Sequence, residues 1–246
     1  LAPYGEPCYK DLILKELIDV KQDGSIRLNL SYFDFLGGLR MTNKRFSQLF
    51  SGDPRKPEAP ITKREMDIAA SIQVITEEIV LNMANHVYKE TKLKNLCLAG
   101  GVALNCVANG RVLREGPFEK IWIQPAAGDA GGALGAALSV WHRYLNEERK
   151  TPEEQDSQRG SYLGPVFSNE EVKIFLKNNQ YPYHLLPKKT RACIIAKQIA
   201  SGKILGYMAG RMEFGPRALG ARSILGDPRS QETQSVMNLK IKYRES

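Results

Sequence analysis

The clearest indication of the fold is the stretch LAGGVALN at residues 98–105. A short apolar run at residues 95–99 leads into its two glycines, and residues 103–114 continue with a helical pattern. A strand, a glycine turn and a helix in this order are typical of α/β folds. The sequence therefore predicts an α/β architecture around this turn.

The same glycine turn is a candidate ligand site. Gly100 and Gly101 let backbone N–H groups approach a phosphate or a ribose, and the following helix supplies the positive end of its dipole. We expect Asn105 in the first helical turn, where its amide can bond a sugar or phosphate oxygen. An ordinary tight strand-to-helix turn explains the pattern equally well, so both interpretations stay open.

A second glycine-flanked strand end follows at residues 128–132, GDAGG, between a predicted strand at 120–124 and a predicted helix at 131–144. Asp129 at this place can reach a metal ion or a metal-bound phosphate, because hard carboxylate oxygens suit hard cations. Capping of the helix is the alternative role for an isolated aspartate. The two glycine-flanked strand ends lie about 28 residues apart in the sequence. Such a pair can face the two sides of one nucleotide.

The third candidate stretch is GRMEFGPRALGARS at residues 210–223. Guanidinium groups match phosphate oxygens in a bidentate fork, so several arginines on one loop can form an anion pocket. These arginines alternate with Gly, Pro, Phe and Leu, which favours a shaped pocket over a solvated basic surface. Glu213 can orient them or act as an acid or base, and ion pairing is the expected role. The basic residues of this region are Arg211, Arg217, Arg222 and Arg229, with Lys242 beyond them.

The rest of the chain divides at residues 146–160, whose charged, Pro-containing composition predicts a linker. The longest predicted helix covers residues 62–91, where Thr62 and Glu65 have the spacing of a capping box. Its predicted core-packing face is formed by Ile68, Ile72, Ile75, Ile79, Met83 and Val87. Further predicted helices cover residues 11–20, 168–178 and 191–201, with strands at 25–30 and 204–208 and a loop region at 210–229.

Composition limits the possible classes of protein. Among 246 residues, 42% are hydrophobic and 25% are charged, which argues against wholesale disorder. The 35 Lys and Arg residues exceed the 27 Asp and Glu residues by 8, a surplus that suits anionic small ligands as well as nucleic acid. The four cysteines have no metal-finger spacing, so we expect buried free thiols in a reducing cytoplasm. No membrane span or signal peptide is predicted, and the start at Leu1 without Met indicates a segment of a longer protein.

Together, four motifs resemble the O-carbamoyltransferase family of nodulation-factor and antibiotic-tailoring enzymes. They occur in the family's order over nearly the whole chain, and the last is the most diagnostic. The motifs are LAPYG at residues 1–5, LAGGVALN at 98–105, QPAAGDAG at 124–131 and MEFGPRALG at 212–220.

The resemblance implies an α/β protein built from two domains. Residues 1–145 would be the second half of an actin/hexokinase-like (ASKHA) domain, akin to the transferase that makes threonylcarbamoyl-adenosine in tRNA. Residues 161–246 would be the beginning of a YrdC-like domain. The family's first actin-like half, with its histidine metal ligands, and the rest of the YrdC-like domain lie outside this sequence. We therefore expect the chain to be inactive alone.

The resemblance also implies a chemistry. In the family, the YrdC-like domain joins carbamoyl phosphate and ATP into carbamoyl adenylate, and the actin-like domain passes the carbamoyl group to a substrate hydroxyl with help from a metal ion. Asp129 would be a ligand of that divalent ion, iron or magnesium. The nucleotide would be lined by Gly100, Gly101, Asn105, Gly128 and Gly132. Carbamoyl phosphate and the ATP phosphates would be held in the other site by Arg211, Arg217, Arg222 and Lys242.

Three competing functions make different predictions. A sugar or acid kinase of the same superfold also uses glycine turns and one aspartate, but it does not need the second, arginine-rich anion pocket. A nucleic-acid-binding module is prompted by the charge of +8 and predicts RNA affinity that falls steeply with salt. The arginine stretch lacks the regular aromatic interleaving that base stacking requires, so nucleic acid is not the expected partner. A purely structural domain would bind none of these ligands at its glycine turns.

Overall fold

The computed structural model describes residues 1–56, 59–150, 156–230 and 232–243, and it divides the chain into two units, Leu1–Gln124 and Pro125–Ser246. Each unit combines helices with strands, consistent with the predicted α/β class. The predicted linker at 146–160 remains a prediction, and its residues 151–155 lie outside the described residues.

The first unit contains four helices and four strands among its described residues. The helices are α1 (Lys10–Glu16), α2 (Lys44–Leu49), α3 (Lys63–Thr91) and α4 (Cys106–Glu115). The strands are β1 (Ile18–Val20), β2 (Ile26–Leu28), β3 (Asn95–Leu98) and β4 (Lys120–Ile123). Strands β1 and β2 pair antiparallel, and β3 and β4 pair parallel.

The parallel pair β3–β4 is joined by α4, the crossover that parallel strands need. One core lies between this pair and α3, where Ala84, Val112 and Phe118 are buried. The Tyr88 ring of α3 meets the Phe118 ring edge to face, with centroids 5.6 Å apart. This packing anchors β3, and with it the turn that follows, to α3.

Helix α3 begins with the predicted capping box of Thr62 and Glu65. Its predicted core-packing face is only partly buried, because Ile75 is buried whereas Ile72, Met83 and Val87 are more than two fifths exposed. The reason is that the middle of this face borders an open apolar groove of about 830 Å³. The groove is lined by residues that include Ile26, Leu28, Phe33, Ile72, Met83 and Val102.

Glu65→Ala is expected to lower the free energy of unfolding at pH 7 by about 1 kcal/mol, the usual contribution of a helix cap. Hydrogen bonds from Thr62 and Arg64 lower the pKa of Glu65 to about 2 from its ordinary 4.5. The stabilisation is therefore present above about pH 4.5 and is lost as the pH falls through 2. Chemical denaturation between pH 7 and 2 checks this: the difference from wild type should shrink toward low pH. A difference that is independent of pH would contradict it.

The second unit begins with α5 (Asp129–Ser139), which continues into a π-helical turn, Val140–Tyr144. It then contains α6 (Asn169–Asn178), α7 (Lys188–Ala200), β5 (Leu205–Met208), β6 (Arg222–Leu225) and α8 (Glu232–Val236), with a final π-helical turn, Met237–Ile241. Strands β5 and β6 pair antiparallel, with Leu205 opposite Leu225. The long segment between them carries the arginine-rich motif.

Three local predictions were wrong in detail. The helix predicted over residues 11–20 ends at Glu16, because Ile18–Val20 pairs with β2 as a strand. The predicted loop at 210–229 contains strand β6, which forms because β5 supplies a partner. The four cysteines are free but exposed rather than buried. In β3 the alternation of the strand turns Cys97 away from the face that carries Leu96 and Leu98.

Candidate functional site

The turn after β3 is the first candidate site. Gly100 has φ of 102°, a left-handed conformation that favours glycine. The chain then makes a 3₁₀ turn, Gly101–Leu104, before α4 begins. A Cβ atom added at Gly100 or at Gly101 would meet no atom within 4 Å. The backbone of this turn is therefore open to a ligand.

Asn105 lies at the N-cap of α4, just before the first helical turn in which it was predicted. Its Oδ1 accepts a hydrogen bond from the Ala108 N–H at 3.1 Å. Its amide also pairs reciprocally with the amide of Gln73 on α3, at 3.0 and 3.2 Å. The side chain thus joins the glycine turn to α3, which gives it a positioning role beside the predicted ligand role.

Sequence reasoning missed the network beyond Gln73. The Gln73 amide donates to Glu77 at 2.8 Å, and Glu77 in turn lies 3.5 Å from the Arg111 guanidinium of α4. Arg111 also forms a bidentate pair with Glu115. The available signal was the spacing of four residues in each pair, Gln73 with Glu77 and Arg111 with Glu115, which places both partners on one helix face.

Asn105→Ala is expected to destabilise the first unit by about 1 kcal/mol or more, because it removes a helix cap and leaves Gln73 without its amide partner. Urea denaturation at pH 7 measures the change. Asn95→Ala, at an exposed position of β3, is the control and should have a smaller effect. Equal stability of Asn105→Ala and wild type would contradict the positioning role.

Asp129 is the first residue of α5, and Gly128 rather than Asp129 occupies the N-cap position. The Asp129 carboxylate is exposed in the first helical turn, where it interacts favourably with the helix dipole. A Cβ added at Gly128 or Gly132 would meet no atom within 4 Å, whereas one at Gly131 would lie 2.0 Å from the Ala126 carbonyl oxygen. Only glycine is therefore tolerated at position 131.

A metal site needs more ligands than this segment supplies. Within the described ranges, no group of three or more His, Cys, Asp or Glu side chains comes together. Zinc, magnesium and iron sites draw on several such ligands. The described residues alone therefore do not fit a complete metal centre, and Asp129 is one candidate ligand.

The arginine-rich segment is organised by Glu213. Its side chain has no exposed surface, and its Oε1 accepts hydrogen bonds from the N–H groups of Leu219 at 2.9 Å and Ala221 at 2.6 Å. Its Oε2 lies 3.5 Å from Nε of Arg222. Burial is the largest influence and raises the pKa of Glu213, but backbone N–H donors and the Arg222 charge outweigh it and lower the pKa below its ordinary value. The carboxylate is therefore charged at neutral pH.

The predicted basic residues occupy different environments. Arg222 donates through Nη2 to the Gly215 carbonyl, and the same atom lies 3.5 Å from the Arg217 carbonyl oxygen. The side chain of Arg217 is exposed on this loop. Arg211 is exposed and donates to the Gly164 carbonyl at 2.8 Å. Lys242 is exposed, and within the described chain no hydrogen bond or ion pair joins it to the loop.

Arg229 is neutralised by a neighbour. Its guanidinium pairs with both carboxylate oxygens of Asp227, the shortest contact being 2.6 Å, and this pairing lowers the pKa of Asp227 to about 2. The Arg222 side chain, at the start of β6, thus contacts the backbone of the loop that carries Arg217, whereas Arg229 is committed to an internal pair.

No helix among the described residues combines the length and the apolar composition that crossing a membrane requires.

Two protein-family models match this chain. "Carbamoyltransferase N-terminus" matches residues 1–138, and "Carbamoyltransferase C-terminus" matches residues 196–246. These matches include all the site residues predicted from the sequence.

The chain is also similar to longer proteins. It is 62% identical to an uncharacterised protein of Synechocystis sp., sll1178, over 248 residues that cover all of this chain and 40% of the relative. It is 38% identical to Nodulation protein NolO of Bradyrhizobium diazoefficiens, again over all of the chain and 42% of the relative. Nodulation protein NolNO of Sinorhizobium fredii is 37% identical over all of the chain and 34% of its own length. The chain therefore spans about two fifths of the length of these relatives or less.

Proposed function

The chain belongs to the carbamoyltransferase family, and on that basis we propose a specific reaction for the full-length protein. Carbamoyl phosphate first reacts with water, which releases inorganic phosphate and leaves carbamate. A carbamate oxygen then attacks the α-phosphate of ATP, which forms carbamoyl adenylate and releases pyrophosphate. Finally, a hydroxyl of a sugar-like or secondary-metabolite acceptor takes the carbamoyl group, and AMP and the hydroxyl proton are released. The proposed framework is the second half of an actin/hexokinase-like domain followed by part of a YrdC-like domain.

The observation that carries this proposal is the loop held by Glu213. The Glu213 carboxylate accepts two backbone N–H groups of this loop and faces Arg222, the first residue of β6. The exposed Arg217 extends from the loop. Two guanidinium groups, one on this loop and one at the start of β6, suit the phosphates of carbamoyl phosphate and ATP. Positive charge held in place stabilises the negative charge that develops as pyrophosphate departs. Arg211 and Lys242 are proposed as further phosphate ligands.

The glycine turns support nucleotide binding in the same proposal. Gly100 and Gly101 leave open space over the backbone ahead of α4, and Asn105 holds that turn through its cap and its pair with Gln73. Gly128 and Gly132 likewise leave open space at the start of α5. Backbone N–H groups at helix N-termini are suited to phosphate binding. A divalent ion, if Asp129 contributes to its site, would supply Lewis-acid polarisation of a carbonyl.

The closing experiment uses the full-length gene product with ATP and carbamoyl phosphate. Pyrophosphate release that requires carbamoyl phosphate is the expected result, and a panel of sugar hydroxyl acceptors should stimulate it and yield carbamoylated products. Conversion of ATP to ADP without carbamoyl phosphate would replace the proposal with the kinase alternative. No turnover of ATP under any of these conditions would contradict the adenylate route.

A further inference from the structure

Glu213 and Arg222 form a charged pair in which two buried polar atoms lack hydrogen-bond partners among the described residues. Glu213 Oε2 and Arg222 Nε are both buried, and neither has a hydrogen-bond partner within the described residues. The two atoms face each other at 3.5 Å, an ionic distance that is long for a hydrogen bond. Buried charges are costly unless paired, so this carboxylate and this guanidinium stabilise each other mainly through charge.

The two oxygens of the Glu213 carboxylate make different contacts. Oε1 accepts the N–H groups of Leu219 and Ala221 and so closes the loop, a task that a neutral amide oxygen also performs. Oε2 faces the Arg222 guanidinium, a task that needs negative charge. A substitution that keeps the first contact and removes the second can therefore separate folding from charge.

Arg222 links Glu213 to the backbone of the rest of the loop. Its Nη2 donates to the Gly215 carbonyl and approaches the Arg217 carbonyl, whereas no hydrogen bond of the described residues uses its Nη1. Its side chain is 30% exposed. The guanidinium is thus held through Nε and Nη2, and its Nη1 has no partner among the described residues and can serve a ligand. The side chain of Arg217, whose carbonyl is near Nη2, is exposed.

We propose that Glu213 is a positioning residue that aims the outer edge of Arg222, together with Arg217, at the phosphate groups of the substrate. This inference rests on the proposed function only in naming the phosphate-bearing substrate. The side chain of Glu213 has no exposed surface, so in this conformation it lies out of reach of a substrate. Its role as a general acid or base is therefore excluded in this conformation.

The first test measures pyrophosphate binding to the full-length protein by calorimetry, which needs no turnover. Glu213→Gln keeps an oxygen for the two N–H groups but removes the charge. We expect at least a tenfold loss of affinity, measured well below the melting temperature, which should itself fall because Arg222 loses its charged partner. Glu170→Gln removes the same charge from an exposed position of α6 and should bind like wild type. Wild-type affinity in Glu213→Gln, or no pyrophosphate binding by wild type, would overturn the inference.

A double-mutant cycle then tests whether Glu213 acts through Arg222. Arg222→Gln should weaken pyrophosphate binding at least as much as Glu213→Gln, and the double variant should be no weaker than Arg222→Gln alone. Effects that multiply would show independent roles and overturn the inference. If Glu213→Gln fails to fold, Arg222→Lys replaces it in this argument. It keeps the charge facing Glu213 but lacks the Nη atoms, so undiminished pyrophosphate binding by Arg222→Lys would also overturn the inference.

Kinetics separate this inference from the proposed function. In carbamoyl-phosphate-dependent pyrophosphate release, Glu213→Gln should raise KM for carbamoyl phosphate more than it lowers kcat, since it misplaces a binding group. A wild-type protein that binds pyrophosphate through Glu213 and Arg222 but shows no such release would refute the proposed reaction and leave the positioning role standing. An unchanged KM in an active Glu213→Gln enzyme would refute the positioning role and leave the reaction standing.

Discussion

Arg217→Ala in the full-length protein is expected to lower carbamoyl-phosphate-dependent pyrophosphate release by roughly 100-fold or more, the usual loss when a fixed group that stabilises transition-state charge is removed. The side chain of Arg217 is exposed, and the loop uses only its carbonyl group, which alanine retains. The fold should therefore survive, and the melting temperature should stay within a few degrees of wild type. Pyrophosphate release at saturating ATP measures the effect.

The matched control is Arg191→Ala, which removes the same charge from an exposed position of α7. It should keep wild-type activity, because net charge alone contributes only a screened, long-range field. Salt dependence adds a second check, since a direct phosphate contact should keep discriminating between the two variants at high ionic strength. Unchanged pyrophosphate release in Arg217→Ala would remove this loop from the proposed adenylation site.

Local signals accounted for much of the fold. Helix α3 begins where Thr62 and Glu65 have capping-box spacing, and α6 begins at a second capping box, Ser168 with Glu171. The strand, glycine turn and helix around Gly100 were predicted close to their observed bounds. These features depend on hydrogen bonds within a few residues of sequence, so the sequence contains the information directly.

Features that depend on distant partners could not be predicted in the same way. Strand β6 exists because β5 lies beside it, and its four residues show no pattern that distinguishes them from the loop around them. The last three residues of the predicted first helix form β1 for the same reason, since they pair with β2. Short segments of apolar residues are ambiguous until a partner strand is known.

The candidate site likewise has features that the local sequence predicts and features that depend on distant contacts. The arginine motif and the glycine turns were found from residue type and spacing alone. Residue type and spacing did not reveal three features of the folded site. These are the burial of Glu213, the pairing of Gln73 with Asn105 and the pairing of Arg229 with Asp227. Each depends on which way a side chain points after folding. Sequence reasoning could therefore locate the residues but not assign which cation is free to meet a ligand.

Asp129→Ala is expected to lower carbamoyl transfer to the acceptor by at least roughly 10–100-fold, the usual loss when even a residue that only supports a metal ligand is removed. Formation of carbamoyl adenylate should change much less, because the proposal assigns that step to the arginine loop. The two half-reactions are measured separately, as pyrophosphate release without acceptor and as carbamoylated product with acceptor. The expected signature is a changed ratio between them.

Asp11→Ala provides the matched control for the helix itself. Asp11, like Asp129, is an exposed aspartate in the first turn of a helix, so both substitutions remove a favourable interaction with the helix dipole of roughly 0.3–1 kcal/mol. Both should therefore show a similar small loss of stability, whereas only Asp129→Ala should change the ratio of the half-reactions. Equal losses of adenylate formation and transfer in Asp129→Ala would make Asp129 a structural residue of α5. In that case the start of α5 would contribute its glycines to the proposed transfer site but no metal ligand.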